Sequence, residues 1–453
     1  MQHSNAANRL DRMPVSKFHK ITLIAISFAY FFEFADLNTF ATTVPKLISV
    51  WGVNVNQIAY VTSLSFVGMF FGSMIGGYIA DRLGRKKALF ATTIWFASFS
   101  FLSVFSWDIY SLGLLRILTS AGLSAMTVAA VIYVNEIFPS AIRGKYQAYA
   151  IAIGICGTPV TNLIASAVVP ASDWSWRLVY LWGACGILFL IFARRLKESP
   201  RWYESKGEYD KADAVLKDIE EHIVAESGPL PEPKTEVIET ASQSKAPVKM
   251  LLQKRYLFPT ILLSVMWITQ TIGFFGYSSW APTLLANEGF SVEDSIFYVA
   301  LTTVGAPLGS LLAAQITDRF ERKWCLAIFG AVIAGCGLLY GLTFNPIMIV
   351  TFGFLVNFFE RGYTAVAYAY SPEVFDTRAR SLGTGVSYGL GRLSNAIGPL
   401  IIVALYNGQG YQSVFYFIAG MWLFGSFTLA VFGPRTRKAR LAASTPTEQP
   451  ATS

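Results

Sequence analysis

Charge is scarce in this chain. Asp, Glu, Lys and Arg make up only 14% of its 453 residues, where soluble domains carry about 25%. That scarcity excludes an ordinary water-facing surface and makes the lipid bilayer an expected partner. Histidine and cysteine are scarce too, with three and four residues. Cys156, Cys185, Cys325 and Cys336 lie in or beside apolar runs without metal-ligand spacing, so they read as small packing residues. His3, His19 and His222 fall outside those runs. There is no nucleotide-binding glycine loop, metal-ligand cluster or catalytic triad, which argues against an enzyme and against any cofactor. A cleaved signal peptide is not expected, because the first apolar run carries Glu33 and Asp36.

Apolar residues are abundant: 53% are hydrophobic, and Phe alone accounts for 35 residues. Runs of about 20 apolar residues cross a bilayer as helices. Twelve such runs are read, at 21–44, 57–80, 88–106, 110–135, 145–169, 177–196, 256–285, 293–316, 324–343, 347–370, 382–405 and 412–433. They predict an all-α membrane protein with an N-terminal tail at 1–17, a six-helix bundle at 18–196, a central loop at 197–254, a second six-helix bundle at 255–433 and a C-terminal tail at 434–453. In the central loop, Ala212, Val215, Ile219 and Ile223 recur at helical spacing among charges and predict a short amphipathic helix. Residues 226–248 are rich in Pro, Glu, Ser and Thr and read as a linker.

The net charge of +8 could suggest a nucleic-acid partner, but its placement argues for none. Away from their ends the apolar runs hold only Arg116, Arg361 and Arg392, and the odd-numbered loops or their edges hold Lys46 and Arg177. The remaining basic residues lie in the tails, in the other loops and at the run ends that adjoin those loops. By the positive-inside rule, both termini are expected in the cytoplasm, in a plasma membrane, or an inner membrane if the cell is bacterial.

Landmarks recur 237 residues apart. Asp81-Arg82-Leu83-Gly84-Arg85-Lys86 returns as Asp318-Arg319-Phe320-Glu321-Arg322-Lys323. Tyr133, Glu136, Pro139 and Arg143 return as Tyr370, Glu373, Asp376 and Arg380, and Val44-Pro45-Lys46-Leu47 as Ala281-Pro282-Thr283-Leu284. Two hydrophobic repeats with a shared site are the plan of a secondary transporter. Gly68, Gly72 and Gly76 on the second run, and Gly385 and Gly389 on the eleventh, allow close helix approach, either as static packing or as a gating interface.

These residues also carry a family resemblance. Gly77-x-x-x-Asp81-Arg82-x-Gly84-Arg85-Lys86-Lys87 resembles the signature loop of the major facilitator superfamily, and its echo has Glu321 in place of the glycine. Tyr133-x-x-Glu136-x-x-Pro139-x-x-x-Arg143-Gly144 and Glu198-Ser199-Pro200-Arg201-Trp202 look like the sugar-porter branch. The resemblance covers about residues 20–433. It implies twelve transmembrane helices in two pseudo-symmetric six-helix bundles that work by alternating access. Glu33-Phe34-Ala35-Asp36 with Pro45 resembles the first-helix Asp-Gly-[Phe/Tyr]-Asp motif of aromatic-acid:proton symporters and related organic-ion carriers, with Glu first and the glycine lost. Tyr388-Gly389-Leu390-Gly391-Arg392-Leu393 is similar to their eleventh helix. In sugar porters of this branch a first-helix Asp pairs with a fourth-helix Arg, and Asp36 and Arg116 occupy matching places. The resemblance therefore implies protons as the coupling ion.

Three acids and three bases stand at membrane depth: Glu33, Asp36, Glu360, Arg116, Arg361 and Arg392. Each costs about 2.5–3.5 kcal/mol on insertion scales, so they must face a wet cavity or one another. Asp36, Glu33 and Arg116 are the candidates for proton coupling. Substrate contact is assigned to Arg392, Glu360, Arg361, Asn357, Gln270, Tyr277 and Asn395, which fall on polar stripes of runs 7, 10 and 11. For the Asp36–Arg116 and Glu360–Arg361 pairs, interhelical struts are the bland alternative. In the loops, Asp81, Arg82, Arg85, Asp318 and Arg319, with the pairs Glu136/Arg143 and Glu373/Arg380, read as gating latches or as basic topological anchors.

The expected function is proton-coupled uptake of a small organic solute, best a carboxylate and an aromatic acid, by a monomer. A sugar, polyol or nicotinate-type porter is the alternative. A drug exporter fits less well, because Gly154-Ile155-Cys156-Gly157-Thr158-Pro159-Val160 lacks the exporter pattern. A carrier-fold sensor would need a longer signalling segment.

Overall fold

The computed structural model describes residues 6–232, 248–316, 319–376 and 379–436. Among them the chain is nearly all helical, with no strand. Eight described helices are long and apolar enough to cross a membrane: Lys17–Trp51, Val55–Leu83, Ile109–Ile137, Arg143–Ala171, Lys254–Ser278, Arg322–Leu342, Leu382–Gln409 and Tyr411–Phe432. They are spans 1, 2, 4, 5, 7, 9, 11 and 12. Spans 3, 6, 8 and 10 are also helical, at Arg85–Ser103, Arg177–Ala193, Val292–Thr303 with Gly305–Ile316, and Pro346–Tyr370. These four are less uniformly apolar or shorter. Span 3 opens on Arg85-Lys86-Lys87, span 8 is interrupted at Val304, and span 10 carries Asn357, Glu360 and Arg361.

The chain divides into two compact units, residues 1–242 with 279–301, and 243–278 with 302–453. Segment 279–301 thus groups with the first unit, where Ala281–Asn287 packs on Thr39–Trp51.

Glycine decides the closest crossings. A Cβ on Gly68, Gly72 or Gly76 of span 2 would collide with the backbone of Ile117, Ala121 or Ala125 on span 4. In the second unit, Gly305 and Gly309 of span 8 meet Phe354 and Phe358 of span 10 in the same way. The Gly68–Ile117 and Gly72–Ala121 pairings thus recur at the 237-residue offset. Both crossings lie inside one unit, so these stripes are packing seams. Gly385 and Gly389, by contrast, have nothing within 4 Å of an added Cβ. Gly154 of span 5 lies against Tyr30 of span 1, and Gly391 of span 11 lies against the repeat mate, Trp267 of span 7.

Several spans are broken. Span 1 stops at Asn38 and restarts as Thr39–Trp51. Spans 5 and 11 break at Cys156 and at residues 395–397. Breaks free backbone groups at membrane depth, which is tolerated only where protein or a wet cavity satisfies them.

Residues 6–13 of the N-terminal segment are ordered. Ala6–Asp11 forms a helix that packs on the linker helix Tyr209–Ser227, burying Ala6, Leu10 and Met13 against Leu216, Ile219 and Ile223. Arg9 binds Glu220 through Nε (2.9 Å) and Nη2 (2.6 Å), and Asp213 through Nη1 (2.5 Å). Arg12 Nη2 also reaches Glu220, at 2.6 Å. Asp11 accepts the Ser140 backbone N–H at 2.7 Å, which ties the segment to the loop between spans 4 and 5. Hydrogen bonds to Glu220 raise the Arg9 pKa against the opposing effect of burial. Burial would push Glu220 up, but bonds from Arg9 and Arg12 outweigh it and hold the carboxyl below its ordinary value.

Candidate functional site

In the first unit, the helix Lys17–Leu37 ends beside Asp36, which is fully buried. A carboxylate at a helix C-terminus faces the negative end of the dipole and needs a cation. Arg116, 2% exposed on span 4, supplies it. Its Nη1 donates to Asp36 Oδ2 at 2.9 Å, and its Nη2 donates to the Asp36 carbonyl at 3.1 Å. One guanidinium thus serves both the side chain and the freed backbone group. Ser100 Oγ of span 3 lies 2.7 Å from Asp36 Oδ1 and 3.1 Å from the Tyr180 carbonyl, so its single proton serves one acceptor at a time. Tyr180 of span 6 lies under the guanidinium, with its ring centroid 5.6 Å from Cζ, and its hydroxyl is 2.8 Å from Thr43 Oγ1. Gly183 leaves room for the carboxylate, since a Cβ there would collide with Asp36 Oδ1. Glu33 is buried three residues earlier on the same helix.

The second unit holds two polar clusters. Glu360 on span 10 is 1% exposed. Gln270 Nε2 donates to Glu360 Oε1 at 2.9 Å and to Thr364 Oγ1 at 3.1 Å, while the Thr364 hydroxyl donates to the same carboxylate oxygen at 2.8 Å. Arg361 Nε lies 3.3 Å from Glu360 Oε2, and its guanidinium covers the Phe274 ring at 4.8 Å. Nearby on span 10, Asn357 donates to the Gly353 carbonyl at 2.9 Å and to Thr302 Oγ1 at 3.4 Å. Tyr277 is buried edge-on to Tyr340, with centroids 5.1 Å apart. The other cluster sits where span 11 breaks. Arg392 Nε donates to the Tyr388 hydroxyl at 2.8 Å, as does the Tyr368 hydroxyl, also at 2.8 Å. Asn395 is buried in the break itself.

The loop charges pair differently from the sequence expectation. Glu136 binds Arg85, with Nη2 at 2.7 Å and Nε at 2.9 Å, and not Arg143. Glu373 binds Arg322, the repeat mate of Arg85, and not Arg380. The physical reason is the helix end. Ile109–Ile137 stops before Pro139 and Arg143 opens the next helix, so the two residues do not share a helix face. Asp81 joins Arg85 at 3.0 Å. Arg82 turns to the Tyr78 hydroxyl at 2.6 Å. Arg319 and Arg380 are exposed, and Asp318 lies outside the described residues.

Sequence reasoning missed Glu198 and Arg322 as members of this loop network. Glu198 Oε1 accepts the N–H groups of Arg85 (2.7 Å) and Lys86 (2.9 Å), capping span 3. Ser199 Oγ donates to Glu136 at 2.5 Å. The signal for Arg322 was available, since it stands one repeat after Arg85.

Two helical units with broken spans and charges sealed inside define a membrane carrier. Residues 19–445 match the family described as Sugar (and other) transporter, and the chain belongs to that family, within the major facilitator superfamily. It is 47% identical over 433 residues to YyaJ of Bacillus subtilis (strain 168), covering 96% of both chains. It is 30% identical to the inner membrane metabolite transport protein YdjE of Escherichia coli (strain K12), covering 97% of this chain and 98% of the relative. The niacin transporter NiaP of Acinetobacter baylyi (strain ATCC 33305 / BD413 / ADP1) is 25% identical, with 95% and 97% covered. Among solved structures, the xylose transporter XylE from E. coli, in a partially occluded inward open conformation, superposes with a TM-score of 0.75 at 18% identity, covering 93% of this chain and 99% of that one. The protein is a multi-pass membrane transporter.

Proposed function

We propose that the chain is a secondary active symporter that takes up a small organic carboxylate, best an aromatic acid, with protons by alternating access. The carrying observation is the buried Asp36–Arg116 pair with its Ser100 partner. A buried ion pair is weak support for stability, because desolvation offsets its attraction. Its use lies in switching. Protonation of Asp36 removes the charge that holds Arg116, and the released guanidinium changes how spans 1 and 4 are tied. Glu33 is the second candidate proton carrier. One proton with a monoanion is electroneutral, so the pH gradient drives uptake at about 1.4 kcal/mol per unit. A second proton adds the membrane potential, about 2.3 kcal/mol per 100 mV.

Arg392 grips the carboxylate in this reading, with Gln270, Asn357, Asn395, Glu360, Arg361 and Tyr277 lining the solute's path. Likeness to a niacin transporter supports an aromatic acid, since niacin is a pyridine carboxylate. The buried amides of Gln270 and Asn357 favour the second reading, a sugar or polyol. The Arg85–Glu136 and Arg322–Glu373 pairs serve as latches on the cytoplasmic side, which also holds both termini.

Uptake into proteoliposomes tests the coupling. Asp36→Asn is expected to lose accumulation driven by a pH gradient and to keep counterflow exchange. A well-expressed mutant that still accumulates solute removes Asp36 from the mechanism. A panel of acids, amides and sugars in the same vesicles separates the carboxylate from the sugar reading.

A further inference from the structure

Tyr368 was not among the sequence candidates, yet it continues the polar stripe of span 10. Asn357, Glu360, Thr364 and Tyr368 follow one another at steps of three and four residues, so they share a helix face, with Arg361 at its edge. Tyr368 is 49% exposed. A face that carries the buried carboxylate of Glu360 is expected to look into a polar space and not into lipid, so the exposed part of Tyr368 is assigned to that space.

Three rings meet here. Trp267 lies 4.8 Å from Tyr388 at 75° and 5.0 Å from Tyr368 at 54°, and the two tyrosines are 5.5 Å apart. Trp267 is the buried back of the group, 1% exposed, with its Nε1–H on Ser371 Oγ at 3.1 Å and Gly391 pressed against its backbone. The Arg392 guanidinium stands 5.1 Å from the Tyr388 ring centroid. With Nε engaged by the Tyr388 hydroxyl, a two-pronged grip on a carboxylate falls to the terminal nitrogens Nη1 and Nη2.

We infer that Tyr368, backed by Trp267, is the ring subsite of an aromatic monocarboxylate whose acid group is held by Arg392, and that Tyr388 is the positioning residue that sets the guanidinium plane. The inference rests on the reading of Arg392 as the carboxylate contact. Tyr368 would then decide between aromatic and saturated acids, and Tyr388 would decide between acids and amides.

Titration calorimetry on the full-length protein in nanodiscs tests both roles, with benzoate, cyclohexanecarboxylate and benzamide as probes. The native protein is expected to prefer benzoate over cyclohexanecarboxylate by about 2- to 12-fold, the range for one aromatic contact. Tyr368→Leu should erase that preference, bringing benzoate down to the level of cyclohexanecarboxylate in the same variant. Tyr368→Met carries the test if the leucine variant does not fold. Tyr388→Phe keeps the ring and loses the hydroxyl, so both acids should weaken alike while benzamide holds. If the native protein binds neither acid, the carboxylate reading of Arg392 falls and this inference with it. If both acids bind but the benzoate preference is absent or survives at Tyr368, only the ring subsite is overturned. If Tyr388→Phe weakens benzamide as much as the acids, Tyr388 is structural.

Discussion

In the first unit the buried pair Asp36–Arg116 joins spans 1 and 4. In the second unit, one repeat later, the same two positions are Gly273 and Gly353. The space is filled from elsewhere. A Cβ on Gly273 would meet the Trp422 ring at 2.5 Å, and one on Gly353 would meet the Tyr277 hydroxyl at 2.7 Å. Conversely, Glu360, Arg361 and Arg392 have Leu123, Ser124 and Ile155 as their counterparts in the first unit. The frame behaves differently: Gly72 against Ala121 repeats as Gly309 against Phe358, and Arg85–Glu136 repeats as Arg322–Glu373. Helix crossings are constrained by backbone approach, so both repeats keep them. Backbone approach places no such constraint on the interior charges, and there the units diverge.

The strongest way to break the comparison is at the ion pair. Arg116→Leu leaves a buried carboxylate alone and should cost about 3–5 kcal/mol, while Asp36→Leu with Arg116→Leu should recover most of it. Thermal unfolding in detergent checks this, and equal losses for the single and double variants would mean the pair carries no coupling. Next come the crossings. Gly72→Val and Gly309→Val should each destabilise by about 1–3 kcal/mol or more through overpacking. Gly385→Ala, in open space, should shift the melting temperature little.

A smaller contrast lies at the loops. Gly84 has φ +99, and a Cβ there would meet the Glu198 carboxylate at 2.5 Å, so Gly84→Ala should cost about 1–3 kcal/mol. Its repeat mate Glu321 has φ −67 and accepts the Thr436 N–H at 2.9 Å. Glu321→Gly should therefore destabilise as well, by about 1 kcal/mol. Melting curves of the two variants compare them, and a neutral Gly84→Ala would contradict the strained turn.

The smallest effect concerns the N-terminal segment. Asp213 is held below its ordinary pKa by bonds from Lys217 and Arg9, and Glu220 by Arg9 and Arg12 against burial. Depressed carboxyl pKa values add stability above the unfolded value, and that stability is lost as pH falls through the folded one. Docking of Ala6–Asp11 should thus hold at neutral pH and loosen below about pH 4. Hydrogen exchange of residues 6–13 as pH is lowered checks it, after correction for the intrinsic rate.

Much of this was legible in the residues. The twelve apolar runs, the repeat and the family all follow from hydropathy and motif spacing, because lipid forces every span to show itself. The amphipathic helix at Tyr209–Ser227 was readable from its period, with Leu216 where Val215 was expected to face inward. Pairing was less legible. Glu136 and Arg143 are close in sequence, but a helix end separates them, and Arg85 arrives from another span. Tyr368 read as one more aromatic in an aromatic-rich chain, and only its neighbours Tyr388 and Trp267 single it out.

The sequence by itself determined that this chain is a helical membrane transporter of two repeats, and which charges must be buried. Those facts are local, since each depends on the cost of placing a residue in hydrocarbon. Tertiary structure alone decided that Asp36 shares Arg116 with its own backbone carbonyl, that Gly183 makes room for it, and that Arg9 locks the N-terminal segment to the linker helix. Such contacts join residues far apart in the chain, and their geometry depends on where each helix stops and on which neighbour leaves space.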